Sequence, residues 1–188
     1  MKGIRIKLAL VIATVGVLGV GAVAVASDNS NSNSNEEALT GFQEVPALST
    51  TGVGEFHASL NDAGDEIRYR LSFSGLETPA TQAHIHFENR TNNGAIVVFL
   101  CSNVGNGPAG TQACPAAGGT ISGTIRPADI GAGAADQGLA AGEFQEFVRA
   151  MRAGATYVNV HTTGHPLGEI RAQLDGDNHS RDRDRDSD

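Results

Sequence analysis

The chain has 188 residues, with 13 basic and 21 acidic side chains for a formal net charge of −8, two cysteines and no tryptophan. A surface this acidic repels phosphate backbones and anionic lipid headgroups, which argues against nucleic-acid and membrane-surface binding. It attracts cations, but without selectivity, so a specific cation site has to be sought in particular side chains.

In chain order, residues 1–26 form an address segment. Lys2, Arg5 and Lys7 precede an apolar or small-residue run from Leu8 to Val25, and Ala24-Val25-Ala26 supplies a small-x-small cleavage site ahead of polar Ser27. The run is nearly long enough to cross a bilayer, so an uncleaved N-terminal anchor competes with cleavage of this signal peptide. Both readings place the remainder outside the cytoplasm, secreted or periplasmic, and no cysteine follows the run to carry a lipid. Cleavage removes three basic residues and no acid, which leaves a formal charge of −11 and no lysine. Residues 27–37, with Asn-Ser-Asn-Ser-Asn, hold too few apolar groups to pack and read as a disordered linker.

Residues 38–175 are the length of one domain with one core. Period-two alternation predicts strands at Val53 to Leu60 and at Ile67 to Phe73, the latter with Ile67, Tyr69, Leu71 and Phe73 inward. Ala83-His84-Ile85-His86-Phe87 alternates next. Ile96 to Leu100 is a continuous apolar run, as in a strand covered on both faces. Cys101 and Cys114 flank a Gly-, Asn- and Ser-rich segment; two cysteines in an exported chain favour a disulfide. Their spacing suits neither CxxC redox chemistry nor a zinc knuckle. Gly119 to Arg126 is a further strand. Phe144, Phe147, Val148 and Met151 fall at i, i+3, i+4 and i+7, which predicts one amphipathic helix, with Gly154 as its stop and Arg149 and Arg152 favourably placed in its last turns. Tyr157 to His161 and Glu169 to Leu174 are the last strands. Residues 176–188 alternate in charge without hydrophobes and read as a disordered tail. Short strands with turn-rich connections and a single crossover helix imply an antiparallel β-sandwich.

The histidines carry the chemistry. In an extended strand His84 and His86 share one face, and in the next candidate strand Tyr157, Asn159 and His161 share one face. If the two strands are neighbours, three imidazoles converge, and such a set binds a copper or zinc ion with a coordination position to spare. Each ring then needs an acceptor for its other nitrogen, for which Glu169 and Asn159 are candidates. His57 and His165 are candidate fourth ligands. The competing reading is a brace: histidines that hydrogen-bond to backbone or to Glu169 and Arg171 and hold a loop to the sheet. Glu169 and Arg171, two apart on one strand face, read as a surface ion pair. No GxSxG, phosphate-cradling loop or HExxH is present, and no pair of carboxylates is marked as acid and base.

Four motifs in order, Gly41-Phe42-Gln43-Glu44-Val45-Pro46, Ala83-His84-Ile85-His86, Tyr157-Val158-Asn159-Val160-His161-Thr162 and Pro166-Leu167-Gly168-Glu169-Ile170-Arg171-Ala172-Gln173-Leu174, resemble the CHRD domain, the module named after chordin. The resemblance covers about Leu39 to Leu174. It implies an immunoglobulin-like, Greek-key β-sandwich and an extracellular setting, and it implies no defined activity. A weaker resemblance is to the copper-zinc superoxide dismutases, in which a His-x-His strand and a late histidine bind copper; His84, His86 and His161 match those ligands in order. The metal-bridging histidine, the zinc loop and the disulfide placement have no counterpart here. The expectation is therefore an exported, metal-binding and non-catalytic domain, with a dismutase-like copper enzyme and a metal-free structural or protein-interaction module as the alternatives; no protein partner is indicated.

Overall fold

The computed structural model describes residues 34–174. The leader, most of the linker and the charged tail lie outside the described residues. Eight antiparallel strands make up the fold: β1 (Ser34–Thr40), β2 (Val53–Leu60), β3 (Ile67–Ser74), β4 (Ala80–Phe87), β5 (Ala95–Ser102), β6 (Gly119–Ile125), β7 (Thr156–Thr162) and β8 (Ile170–Leu174). One helix, α1 (Phe144–Arg152), lies between β6 and β7.

The spatial order is β5-β4-β7-β8-β1-β2-β3-β6. Pairing between β8 and β1 is reduced to one register pair, Thr40 with Arg171, whereas β1 and β2 pair over seven. The sheet therefore folds at this seam into two four-stranded layers, β5-β4-β7-β8 and β1-β2-β3-β6, and the inward residues of both enter one core. At the far end Tyr69 of β3 donates its hydroxyl proton to the Leu100 carbonyl of β5 at 3.2 Å. The Gln112 amide donates to both Leu100 O and Ser122 O, tying β5 to β6 where backbone pairing stops.

The alternation read from the sequence holds in β3, where Ile67, Tyr69, Leu71 and Phe73 are buried. The helix buries its whole predicted stripe, Phe144, Phe147, Val148 and Met151. It ends as expected at Gly154, at φ 68°, where the Gly154 N–H donates to Met151 O and the Ala155 N–H to Ala150 O. Cys101 and Cys114 form the disulfide, with Cα atoms 5.1 Å apart. An internal bridge of this kind fits an oxidising compartment. No helix among the described residues is long and apolar enough to cross a membrane.

Two expectations need correction. The first strand begins at Ser34, inside the stretch assigned to the linker, and its register against β2 runs from Ser34 opposite Ser59 to Thr40 opposite Val53. Strand pairing satisfies backbone groups whatever the side chains, so a polar stretch with a partner of matching length can be ordered without apolar residues. The second concerns Glu169 and Arg171, read as a surface ion pair on the polar face that β8 shares with β4 and β7. All seven residues of β7 and all five of β8 are buried, and so are His84 and His86. Connecting segments roof that face. The Gln173 amide donates to the Glu88 and Gly154 carbonyls, the Gln173 N–H donates to Gln43 Oε1, and Asn93 Nδ2 donates to Val45 O. The sandwich thus has an apolar core between its layers and a second, polar interior outside one of them.

Candidate metal centre

Strands β4 and β7 are neighbours, with His84 opposite Asn159 and His86 opposite Tyr157. The strand parity seen in the sequence therefore brings His84, His86 and His161 together inside the polar interior, at 0%, 6% and 6% exposure. One nitrogen from each ring lies within 4.8 Å of the other two. His84 Nδ1 and His161 Nε2 are 3.2 Å apart. Two nitrogens each about 2.0–2.1 Å from a tetrahedral ion stand about 3.3 Å apart, so this pair is already at ligand spacing.

Hydrogen bonding fixes which nitrogens face inward. His86 Nδ1 is 2.9 Å from the Gly94 carbonyl, and His161 Nδ1 is 3.0 Å from the Pro166 carbonyl. A carbonyl only accepts, so both Nδ1 atoms carry the proton and both Nε2 atoms keep their lone pairs. Without an ion, His84 Nδ1 donates to the lone pair of His161 Nε2; to ligate beside it, His84 would carry its proton on Nε2 instead. The Nε2 atoms of His84 and His86 are buried and have no partner in hydrogen-bond geometry, although the Asn159 side chain lies close enough to His86 to pull it upward. Burial also holds the rings neutral. It pushes His84 down to about 2, with His161 and His86 adding repulsion, and His86 down to about 4, against an upward pull from the Gly94 carbonyl. His161 is lowered by the same desolvation. Neutral imidazoles are the form in which histidine ligates metals.

The second layer of contacts differs from expectation. Backbone carbonyls of Gly94 and Pro166 orient the rings, in place of Glu169. The Glu169 carboxylate instead accepts from Thr50 Oγ1, Thr162 Oγ1 and the Glu77 N–H, each at 2.8 Å, and pins three segments. Asn159 does lie beside the rings, but its Oδ1 is unpaired. Neither proposed fourth ligand joins the triad: His57 sits on β2 in the other layer, 3.5 Å from Glu36, and His165 turns outward to Glu77 at 3.1 Å. Glu169 and Arg171 do not form a surface ion pair, because both are buried and each has other partners. Arg171 donates to the carbonyls of Asn89 and Asn92 and to Asn93 Oδ1, and its guanidinium lies 3.4 Å from the centre of the Tyr157 ring. That ring stacks parallel to His86 at 4.7 Å, and its hydroxyl accepts from the Gly94 N–H. Arg171 and Tyr157 thus hold the 88–94 segment whose carbonyl orients His86.

Sequence parity did not reveal Glu44. It is buried, its Oε1 has no partner, and burial raises its carboxyl to about 7 against the pull of Arg171 and His165. Gly168, at φ 130°, makes room for it: a Cβ there would collide with Glu44 Oε1 and crowd Asn159 Nδ2. The only sequence signal was the position of Glu44 in the opening motif.

A family model, the CHRD domain, matches residues 36–174. The chain belongs to the CHRD-domain family. No curated protein and no solved structure matches it. Within this CHRD domain all four motifs border the polar interior: the first supplies Glu44, the second His84 and His86, the third His161, and the fourth Pro166, Gly168, Glu169 and Arg171. That buried triad can hold a metal ion.

Proposed function

We propose that this exported CHRD domain binds a transition-metal ion, copper in the first place and zinc as the alternative, through His84, His86 and His161. The observation that carries the reading is that the three buried rings bring one nitrogen each within 4.8 Å of the other two, with His84 Nδ1 3.2 Å from His161 Nε2 and His86 Nε2 left without a partner. A pure brace would leave no ring nitrogen unpaired, whereas the Nε2 atoms of His84 and His86 have no partner, and a buried polar atom left unpaired costs about 1–3 kcal/mol. Ligation turns that cost into the bond the site is built to make. Burial of all three rings favours holding an ion over turning over a dissolved substrate, so we assign binding and no catalysis.

The test is elemental analysis of untagged protein after incubation with copper or zinc and desalting. One equivalent per chain is expected for the wild type, and less than about a tenth of that for His86→Ala. Failure of the wild type to retain either metal would leave the brace. Export with leader removal is checked by intact mass: the secreted product should begin at Ser27.

A further inference from the structure

We propose that the histidine centre is built for a singly charged ion, Cu(I), in preference to Cu(II) or Zn(II), and that the buried guanidinium of Arg171 sets this preference. The inference rests on the metal-binding reading above and names the ion it selects.

Three features of the site lead here. The first is the donor count. Among the described residues the cluster that can share an ion contains three histidines and no carboxylate or thiolate. Three neutral nitrogens satisfy Cu(I), a d10 ion content with three ligands, whereas Cu(II) and Zn(II) call for at least a fourth. The second is burial. His84 is fully enclosed, with Phe99 edge-on against its ring at 4.5 Å, and the other two rings are nearly so. A charge transferred into such a place loses its hydration, and the penalty grows steeply from one charge to two.

The third is the fixed charge nearby. Arg171 lies 3.4 Å above the ring of Tyr157, which stacks on His86 at 4.7 Å, so its cation is within about 8 Å of the ligand ring, where a unit charge is still felt at an effective dielectric of about 20. Its influence on His86 is that of a positive charge, alongside His161, with no carboxylate acting on the ring. Glu44 and Glu88 act on Arg171 itself, as does Arg90 in the opposite sense. The remaining buried acid, Glu169, is taken up by Thr50, Thr162 and the Glu77 amide. Among the described residues the buried carboxyl nearest the site, Glu44, acts on Arg171, no carboxylate acts on His86, and Arg171 itself opposes a second positive charge on the ion.

Arg171 is thus a positioning and charge-setting residue, and its test needs a readout that a purely structural role would not move. Untagged protein is titrated with Cu(I) as its acetonitrile complex under nitrogen, with Cu(II) chloride and with Zn(II) chloride, each against a competing chelator of known affinity. Cu(I) is expected to bind at least tenfold more tightly than either divalent ion. Wild-type binding of Cu(II) or Zn(II) as tight as that of Cu(I) overturns the inference and leaves the metal-binding reading standing; no binding of any of the three removes both. Arg171→Gln is expected to narrow the Cu(I)/Cu(II) ratio by about tenfold, the size of one unit charge at this range. Arg171→Lys, which keeps the charge, is expected to hold the wild-type ratio. Equal loss of the ratio in both variants would show that Arg171 acts by packing alone and would overturn its part. If Arg171→Gln does not fold, the reduction potential of copper bound to the Lys variant decides the same point: a value unchanged from wild type supports the charge role, and a fall overturns it.

Discussion

His86 is positioned in three ways at once: Nδ1 is held by the Gly94 carbonyl, the ring face by Tyr157, and Nε2 is left facing the other two histidines. That economy separates ligand from bystander among the five described histidines. His57→Ala and His165→Ala should leave metal stoichiometry at the wild-type value, measured by elemental analysis, because one sits in the other layer and the other faces Glu77. Glu44 gives a second residue-scale prediction. Its carboxyl titrates at about 7 in the fold against an ordinary 4.5, so the folded chain holds a proton that the unfolded chain has lost. The stability this contributes is complete below about 4.5 and is lost as pH rises to about 7. Glu44→Gln, which stays neutral, should flatten that part of the curve of unfolding free energy against pH, as measured by urea denaturation. A Glu44→Gln curve with the wild-type slope would show that the carboxyl does not titrate there.

At the scale of elements, the connecting segments matter as much as the strands. The segment after β5 is closed by the Cys101–Cys114 bridge and by Asn103, whose amide donates to the Ala80 and Cys114 carbonyls and whose oxygen accepts the Cys114 N–H. Replacing both cysteines by alanine should cost about 3 kcal/mol on the chain-entropy account of a loop this long, read as a lower urea midpoint at unchanged slope. The turn between β7 and β8 is more sensitive. Gly168→Ala should destabilise the fold and weaken metal retention together, because the new Cβ displaces Glu44 and Asn159 beside the rings while the backbone is strained at φ 130°.

For the whole molecule the buried triad and Glu44 pull stability in opposite directions. His84 and His86 titrate at about 2 and about 4 against an ordinary 6.5, so below 6.5 the unfolded chain binds protons that the fold refuses. Stability is lost as pH falls from about 6.5, while Glu44 lowers it as pH rises toward 7. The metal-free domain should therefore be most stable in weakly acidic solution, and the fall on the acid side should be shallower in His84→Ala. Bound metal adds stability by mass action, about 2.7 kcal/mol at a free concentration one hundred times Kd, seen as a rise in Tm. His86→Ala should show no such rise.

Much of this was legible from the residues alone. Strand parity grouped His84 with His86 and Tyr157 with Asn159 and His161, because side chains alternate whatever the strand packs against. The helix stripe and its glycine stop were equally local. Adjacency of β4 and β7 was not local, since which strands pair depends on the path of the whole chain. Nor was the burial of the polar face, which led Glu169 and Arg171 to read as a surface pair: three loops distant in sequence cover it, and period-two alternation carries no information about a roof. The sequence alone determined the kinds of donor and their order along the chain. Only the tertiary structure decided that the donors meet, that backbone carbonyls of Gly94 and Pro166 aim them, and that Arg171 is the charge beside them, because each of those facts depends on contacts between segments the chain brings together only on folding.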